Sequence, residues 1–501
     1  MTKELDLMDI QGNVIRAYGR FNFPVARYLF LRINDGDRGR DFVGQVTRKV
    51  TTSANWGKGP NDVEKPKATV NIAFTYQGLK ALQLPRESLV GFPPEFSMGM
   101  KRRKDILGDD GPSAPEYWDP IWQGDPVHVS IALNGQTPQY LEECYQWLLD
   151  VIEQSGGGVT LLTGHRGPDG AEDLPYQEGN LVYEKGQPTA KEHFGYTDGI
   201  GDPVFEGMPG PSERVLGRGK QTKDGWKPLA TGEFLLGHFD EAREYPPAPN
   251  PILLSRNGTF MVYRKLHENV AMFNAFLEEQ GKIYPGGKEL LAAKFSGRWR
   301  DNGAPLALAP DVAAKNAWDA RFAAAGPEEQ DRMLSNFTYD NDASGAKCPF
   351  SSHLRRINPR ASLEFTKGAF DTPGALANRR RVLRRGLPYG QVIDPSRDDG
   401  DHGIIIMMLN TDINRQFEFI QQQWINYGND FKAGNDKEIM LGNHDRDCPS
   451  KAVIEVDPDS DQPPFFLRNI PRFVETRGGD YFFIPSMTAL RMIAEGIVDP
   501  T

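Results

Sequence analysis

Strand-like and helix-like runs alternate along the chain, and the whole alternation is gone through twice. In the first half Arg27–Ile33 reads as an apolar strand and Lys67–Thr75 as another, followed by a helix from Gln77 to Leu82. Pro126–Leu133 alternates apolar with polar at the two-residue period of a half-buried strand. It leads into Pro138–Gln154, where Leu141, Tyr145, Leu148, Leu149 and Ile152 recur at helical spacing. In the second half Gly232–Gly237 and Gly258–Arg264 predict strands, and His267–Gln280 a helix ended by Gly281. Gly403–Leu409 predicts a fully buried strand, Asn414–Trp424 a helix and Asp480–Pro485 a closing strand. A chain of 501 residues exceeds what one core usually serves, so two similar halves divided near residue 205 are expected, layered as α+β or α/β. Stretches rich in Gly, Pro and charge near 207–230, 296–312 and 393–402 read as surface loops.

Composition narrows the function classes. Apolar residues make up 39% and charged residues 25%, as in a folded, water-compatible protein. Acids outnumber bases 68 to 58, a net charge of -10, which argues against a large nucleic-acid footprint or attraction to an anionic membrane surface. No stretch approaches the roughly 20 apolar residues that cross a bilayer. The first residues carry acids where an export signal has an apolar centre, so a cytoplasmic location is expected. Cys144, Cys348 and Cys448 are odd in number, far apart and without a CxxC, which makes a disulfide framework or zinc site a poor expectation.

Three segments carry chemistry. Lys347-Cys-Pro-Phe-Ser-Ser-His353-Leu-Arg-Arg-Ile-Asn-Pro-Arg360 sets one of eight histidines among arginines. A neutral imidazole can cap or hydrogen-bond, or it can ligate haem iron; Arg355, Arg356 and Arg360 could then neutralise propionates. Phe194-Gly-Tyr-Thr-Asp198-Gly-Ile-Gly-Asp-Pro203 packs glycines around one carboxylate, either as a plain turn or to let backbone approach a flat cofactor with Asp198 aimed at it. A carboxylate with an ordinary pKa near ~4 can move a proton between peroxide oxygens, with activity favoured at acidic pH. Asn378-Arg-Arg-Arg-Val-Leu-Arg384-Arg-Gly-Leu-Pro-Tyr-Gly390 is a solvated basic face or the source of one fixed cation for such a cleavage.

Taken together, these segments resemble the dye-decolorising peroxidase family. Gly195-Tyr-Thr-Asp198-Gly199 matches its GxxDG motif, Cys348–Arg360 its histidine segment and Leu383–Gly390 its arginine segment, in the family's order. Asp9-Ile-Gln-Gly-Asn13, Phe417–Trp424 and Arg477–Pro485 extend the likeness nearly end to end. The resemblance implies an α+β fold of two ferredoxin-like domains, antiparallel sheets with peripheral helices around a β-barrel-like core. Residues 1–205 would carry the Asp198 loop, and residues 206–501 would hold one haem b. It implies His353 as the axial iron ligand, Asp198 and Arg384 as the catalytic pair, and Gly199, Ile200, Gly201, Asn358, Pro359 and Arg360 as haem contacts. An acid should back His353; Asp445 is the choice, with Glu418 in reserve. Hydrogen peroxide and small aromatic electron donors are the implied partners, and a homodimer is compatible with the pattern. Surface relays for bulky donors would draw on Tyr389, Tyr481 and Trp424. Long loops at 207–230 and 296–345 resemble the larger, advanced members. A haem-delivery protein of the same fold and a non-enzymatic scaffold are the competing classes, and neither requires the Asp198–Arg384 pair.

Overall fold

The computed structural model describes residues 4–498, apart from 20–21, 60–61, 125, 365–371, 446, 448–449 and 456–460. Runs rich in β-branched and aromatic residues form the strands. In the first half these are β1 (Val25–Ile33), β2 (Ala68–Phe74), β3 (Val129–Gly135) and β4 (Val159–Leu161). In the second half they are β5 (Thr259–Glu268), β6 (Leu383–Arg385), β7 (Gly403–Asn410) and β8 (Val474–Ile484). Their hydrogen-bonded order is β6-β7-β5-β8-β2-β3-β1-β4, antiparallel throughout. Counted within each half, both sets follow one order: second, third, first, fourth. Helices Gly36–Thr47 and Pro138–Gln154 follow the first and third strands of one half. Val270–Gly281 and the π-helical turns of Asn414–Ile425 follow those of the other. This is the βαββαβ, ferredoxin-like pattern used twice.

Local chemistry sets the helix starts. The Asp35 carboxylate accepts from Arg38 N at 3.0 Å, and the Thr137 hydroxyl from Tyr140 N at 3.2 Å with Pro138 in the first turn.

The halves meet edge to edge through a single backbone pair, Phe74 with Phe483. Side chains close the rest of the seam. The Gln11 amide, 1% exposed, donates to Ile72 O and Pro485 O at 2.9 Å each and accepts from Ile72 N at 3.0 Å, standing in for missing sheet bonds. Phe92 and Phe96 of the first half pack on Phe483 and Phe260 of the second, with centroids 5.4 and 5.2 Å apart. Each such buried ring contributes roughly 1.5–3 kcal/mol.

Several expectations need correction. Gly232–Gly237 is a 3₁₀ turn and loop, not a strand; Phe234, Leu235 and Leu236 are all buried, so apolar content marked burial rather than extension. His267 and Glu268 extend β5, and the helix begins only at Val270. The supposed 296–345 loop contains helices Val312–Ala324 and Pro327–Ser335, and 207–230 contains a hairpin of Lys220–Thr222 with Gly225–Lys227. Cys144 and Cys348 are free and buried; Cys448 lies outside the described residues. Among the described residues no helix is long and apolar enough to cross a membrane.

Candidate active site

A cavity of about 950 Å³ opens against the second half of the sheet. Strand β7 forms one wall, and its burial explains its composition. Ile405, Met407 and Leu409 are packed into the core, Ile405 also bordering the cavity, while the less buried Ile404, Ile406 and Met408 line it. The strand is apolar on both faces but is not fully buried, because its even positions border the cavity.

Strand β6 pairs with β7 so that Arg384 stands opposite Met408, which puts its side chain on the cavity face. Its neighbours are committed elsewhere. Leu383 is in the core, and Arg385 donates to Asn13 O, Val14 O and the Asp202 carboxylate. Arg384 Nη2 donates to Asp198 Oδ1 at 2.6 Å, with both side chains 32% exposed. The negative charge of Asp198 holds the guanidinium above its ordinary pKa, against the effect of burial.

The loop bearing Asp198 folds back on itself: Asp198 N donates to Ala190 O at 2.8 Å, and Lys191 bridges Thr197. Gly199 and Gly201 adopt φ of +70° and +80°, values that side chains with a Cβ rarely take. Gly199, Ile200 and Gly201 all line the cavity.

His353 lies on the same cavity wall, at the first position of helix His353–Ile357. The arginines after it are anchors. Arg355 pairs with Asp342 at 2.7 Å, buried on both sides. Arg356 donates to the carbonyls of Phe350, Trp424, Tyr427 and Asp436, tying the histidine helix to the segment that leads to Glu438. Neither is available to neutralise a cofactor. Glu438, fully buried, accepts from Met440 N at 2.9 Å and from Leu441 N, and its Oε1 lies 3.7 Å from His353 Nδ1. His353 Nδ1 has no hydrogen bond of its own.

The acid beside His353 is therefore Glu438. Asp445 is exposed and accepts from Asp447 N, while Glu418 is held by Arg103 and the Tyr481 hydroxyl. The signal that could have found Glu438 is a single acid next to the apolar run Ile439-Met-Leu441 in the same segment.

Asn358 lines the cavity with its Oδ1 unpartnered; Pro359 and Arg360 do not belong to the wall. Arg360 instead donates to Ser335 O at 3.0 Å and lies 4.0 Å over the Phe337 ring. Arg298, and Arg381 from the arginine-rich segment, are among the further arginines that do line it. Burial lowers Arg298 and Arg360 to about 10 and Arg381 to about 9. Among the described residues none of the three forms an ion pair, whereas buried charge ordinarily finds one. An apolar wall with the His353 imidazole and cationic side chains such as Arg298 and Arg381 set into it fits a flat, apolar, carboxylate-bearing metal macrocycle. Tyr389, Tyr481 and Trp424 are each 1% exposed, so none is a surface relay.

The chain is similar to known peroxidases along most of its length. Residues 9–168 match the family model described as DyP dimeric alpha+beta barrel domain. A dye-decolorizing peroxidase of Mycena epipterygia is 30% identical over 459 residues, spanning 86% of this chain and 77% of that relative. A multifunctional dye peroxidase of an Amycolatopsis species is 26% identical over 97% of this chain and 96% of its own length. The solved structure of an ancestral D-type dye decolorizing peroxidase superposes with a TM-score of 0.74 at 27% identity, covering 98% of this chain and 99% of that one.

Proposed function

The chain belongs to the dye-decolorising peroxidase family, and from that premise we infer that it reduces hydrogen peroxide and oxidises organic donors, with haem in the cavity that His353, Asp198 and Arg384 line. The observation that carries this reading is the 2.6 Å pairing of Arg384 with Asp198 on the wall of that cavity.

His353 would hold the iron, with Glu438 drawing on its Nδ1–H and making the ring a stronger donor. Gly199, Ile200, Gly201 and Asn358 would contact the macrocycle. Arg298 and Arg381 would meet its propionates, with Arg360, next to Pro359, adding positive charge from outside the wall. The group is read as b-type, one per chain, as the family resemblance implies. Haem supplies an iron that binds peroxide and exchanges electrons with donors. Asp198 accepts the proton from one peroxide oxygen and returns it to the other. Arg384 stabilises the negative charge that builds as the O–O bond parts, so that the departing oxygen leaves as water. Dyes are the donor class supported by the names of the relatives, and phenols are read as small aromatic donors of the same kind. The domain division is read at 205/206, between the strands of the two repeats.

The test measures haem uptake, from the Soret band, and peroxide-dependent oxidation of a phenol and a dye in the wild type and His353→Ala. Wild type is expected to bind haem and turn over, and the variant to lose both. Full haem content in His353→Ala would refute the ligand assignment, and a wild type that never oxidises a donor would refute the activity.

A further inference from the structure

Next to the Asp198 loop two glutamates meet. Glu192 and Glu268 meet carboxyl to carboxyl, their oxygens accepting from the successive amides Phe194 N and His193 N, and both line the cavity. Glu268 ends β5 and is 3% exposed; Glu192 stands six residues before Asp198. Two carboxyl groups can share a hydrogen bond only if one keeps its proton. The backbone indicates which one. Glu192 accepts from Phe194 N at 2.8 Å and Tyr196 N at 2.7 Å, whereas Glu268 accepts only from His193 N, at 3.2 Å. Two amide donors favour the charge on Glu192 and leave the proton on Glu268. Burial pushes both groups upward, Glu268 the further, and the charge of Asp198 adds to each.

The groups facing the pair do not cancel this. Arg300 is paired with Glu289 at 2.6 Å and donates to Phe194 O, and the Tyr196 hydroxyl donates to Ala292 O. His193 and His402 are held neutral by burial, and the Tyr389 carbonyl lies 3.0 Å from His193 Nε2. The Tyr389 phenol is pushed far above its ordinary pKa by burial. Among the described residues no cation forms an ion pair with either glutamate.

We propose that the Glu192–Glu268 pair is a proton store for peroxide turnover, releasing protons into the cavity beside Asp198 and refilling from solvent. The proposal rests on the peroxidase reading. Reducing one peroxide to two waters breaks the O–O bond and consumes two electrons and two protons. The electrons come from the organic donors. Asp198 only relocates a proton that the peroxide brought with it, so the two consumed protons, whether released by an oxidised phenol or taken from solvent, must be delivered into the cavity by another group during the donor steps. A shared carboxyl proton on the cavity wall meets that need when the bulk solution is poor in protons.

The test uses Glu192→Gln, Glu268→Gln and Glu268→Asp. Infrared spectra of the haem-free protein at neutral pH are expected to show a protonated-carboxyl C=O stretch that Glu268→Gln removes in part. In the haem-loaded enzyme both Gln variants are expected to keep the wild-type rate of reaction with peroxide. Their donor-oxidation steps should slow at neutral pH, with the alkaline limb moved to acid by about one pH unit and a larger solvent deuterium effect. Glu268→Asp should restore much of the wild-type profile. An infrared band untouched by Glu268→Gln overturns the store. So do unchanged pH profiles and isotope effects in both Gln variants of an enzyme whose wild type turns over normally. A wild type that carries the band yet reduces no peroxide overturns the store's role together with the peroxidase reading.

Discussion

Arg384 reaches Asp198 across the two halves of the molecule: the donor sits on β6 of one repeat, the acceptor on a loop after β4 of the other, 2.6 Å apart. The ion pair therefore exists only when the halves are docked. Replacing the cation should slow O–O cleavage. Arg384→Leu is expected to lower the rate of reaction with peroxide by roughly 10²–10³-fold, as when one preorganised charge-stabilising donor is lost. Stopped-flow mixing of haem-loaded enzyme with peroxide measures this directly, and an unchanged rate would remove Arg384 from the chemistry.

Glu438 and Asp445 separate cleanly by substitution. Glu438→Gln leaves His353 facing a neutral amide, so the ring donates less to ferric iron and the reduction potential of the bound haem should rise. Affinity or turnover should fall roughly 10–100-fold. Asp445 is exposed, so Asp445→Asn should change neither. Potentiometric titration of the two variants side by side decides between them.

Gln11 is expected to matter for stability rather than chemistry. Gln11→Leu leaves Ile72 N, Ile72 O and Pro485 O at the seam without the partner they now share. Each buried group left unpaired costs roughly 1–3 kcal/mol. Urea denaturation should show a markedly lower midpoint, with both halves affected because the seam belongs to both.

The fold should weaken in acid. Burial lowers His165 to about 3 and His444 to about 4, both neutral when folded. The unfolded chain binds those protons below about 6.5, so the stability present above that pH is lost as pH falls from there towards 3–4. For His165 alone the full loss is on the order of 4 kcal/mol. His165 stacks on Phe30 at 5.5 Å, so His165→Leu keeps an apolar neighbour there and should flatten the difference in unfolding free energy between pH 7 and pH 5. An equal difference in both proteins would show that the protonation lies elsewhere. An enzyme whose base favours acidic turnover would then be limited on the acid side by its own buried histidines.

How far the sequence revealed all this depended on whether the deciding interaction was local. Pro138–Gln154 is a helix to the residue, because its cap, its proline and its apolar spacing all lie within one stretch. The segments of Asp198, His353 and Arg384 were legible as motifs, and all three residues line one cavity. The roles of Arg355 and Arg356 were not, since a guanidinium looks the same in a list whether it meets a ligand or four backbone carbonyls from distant turns. Glu438 was missed for the same reason: its proximity to His353 is produced by Arg356 tying two remote segments together. Gly232–Gly237 misled because burial of three large side chains in a loop has the composition of a strand.

Strand β7 serves two masters by the parity of its residue numbers. Odd positions 405, 407 and 409 answer mainly to the core, and even positions 404, 406 and 408 mainly to whatever fills the cavity, with Ile405 touching both. Evolution or a designed library can therefore vary the even set to reshape the chamber while the odd set stays fixed. A tolerance map of this one strand should alternate residue by residue, a stripe that its uniformly oily sequence conceals.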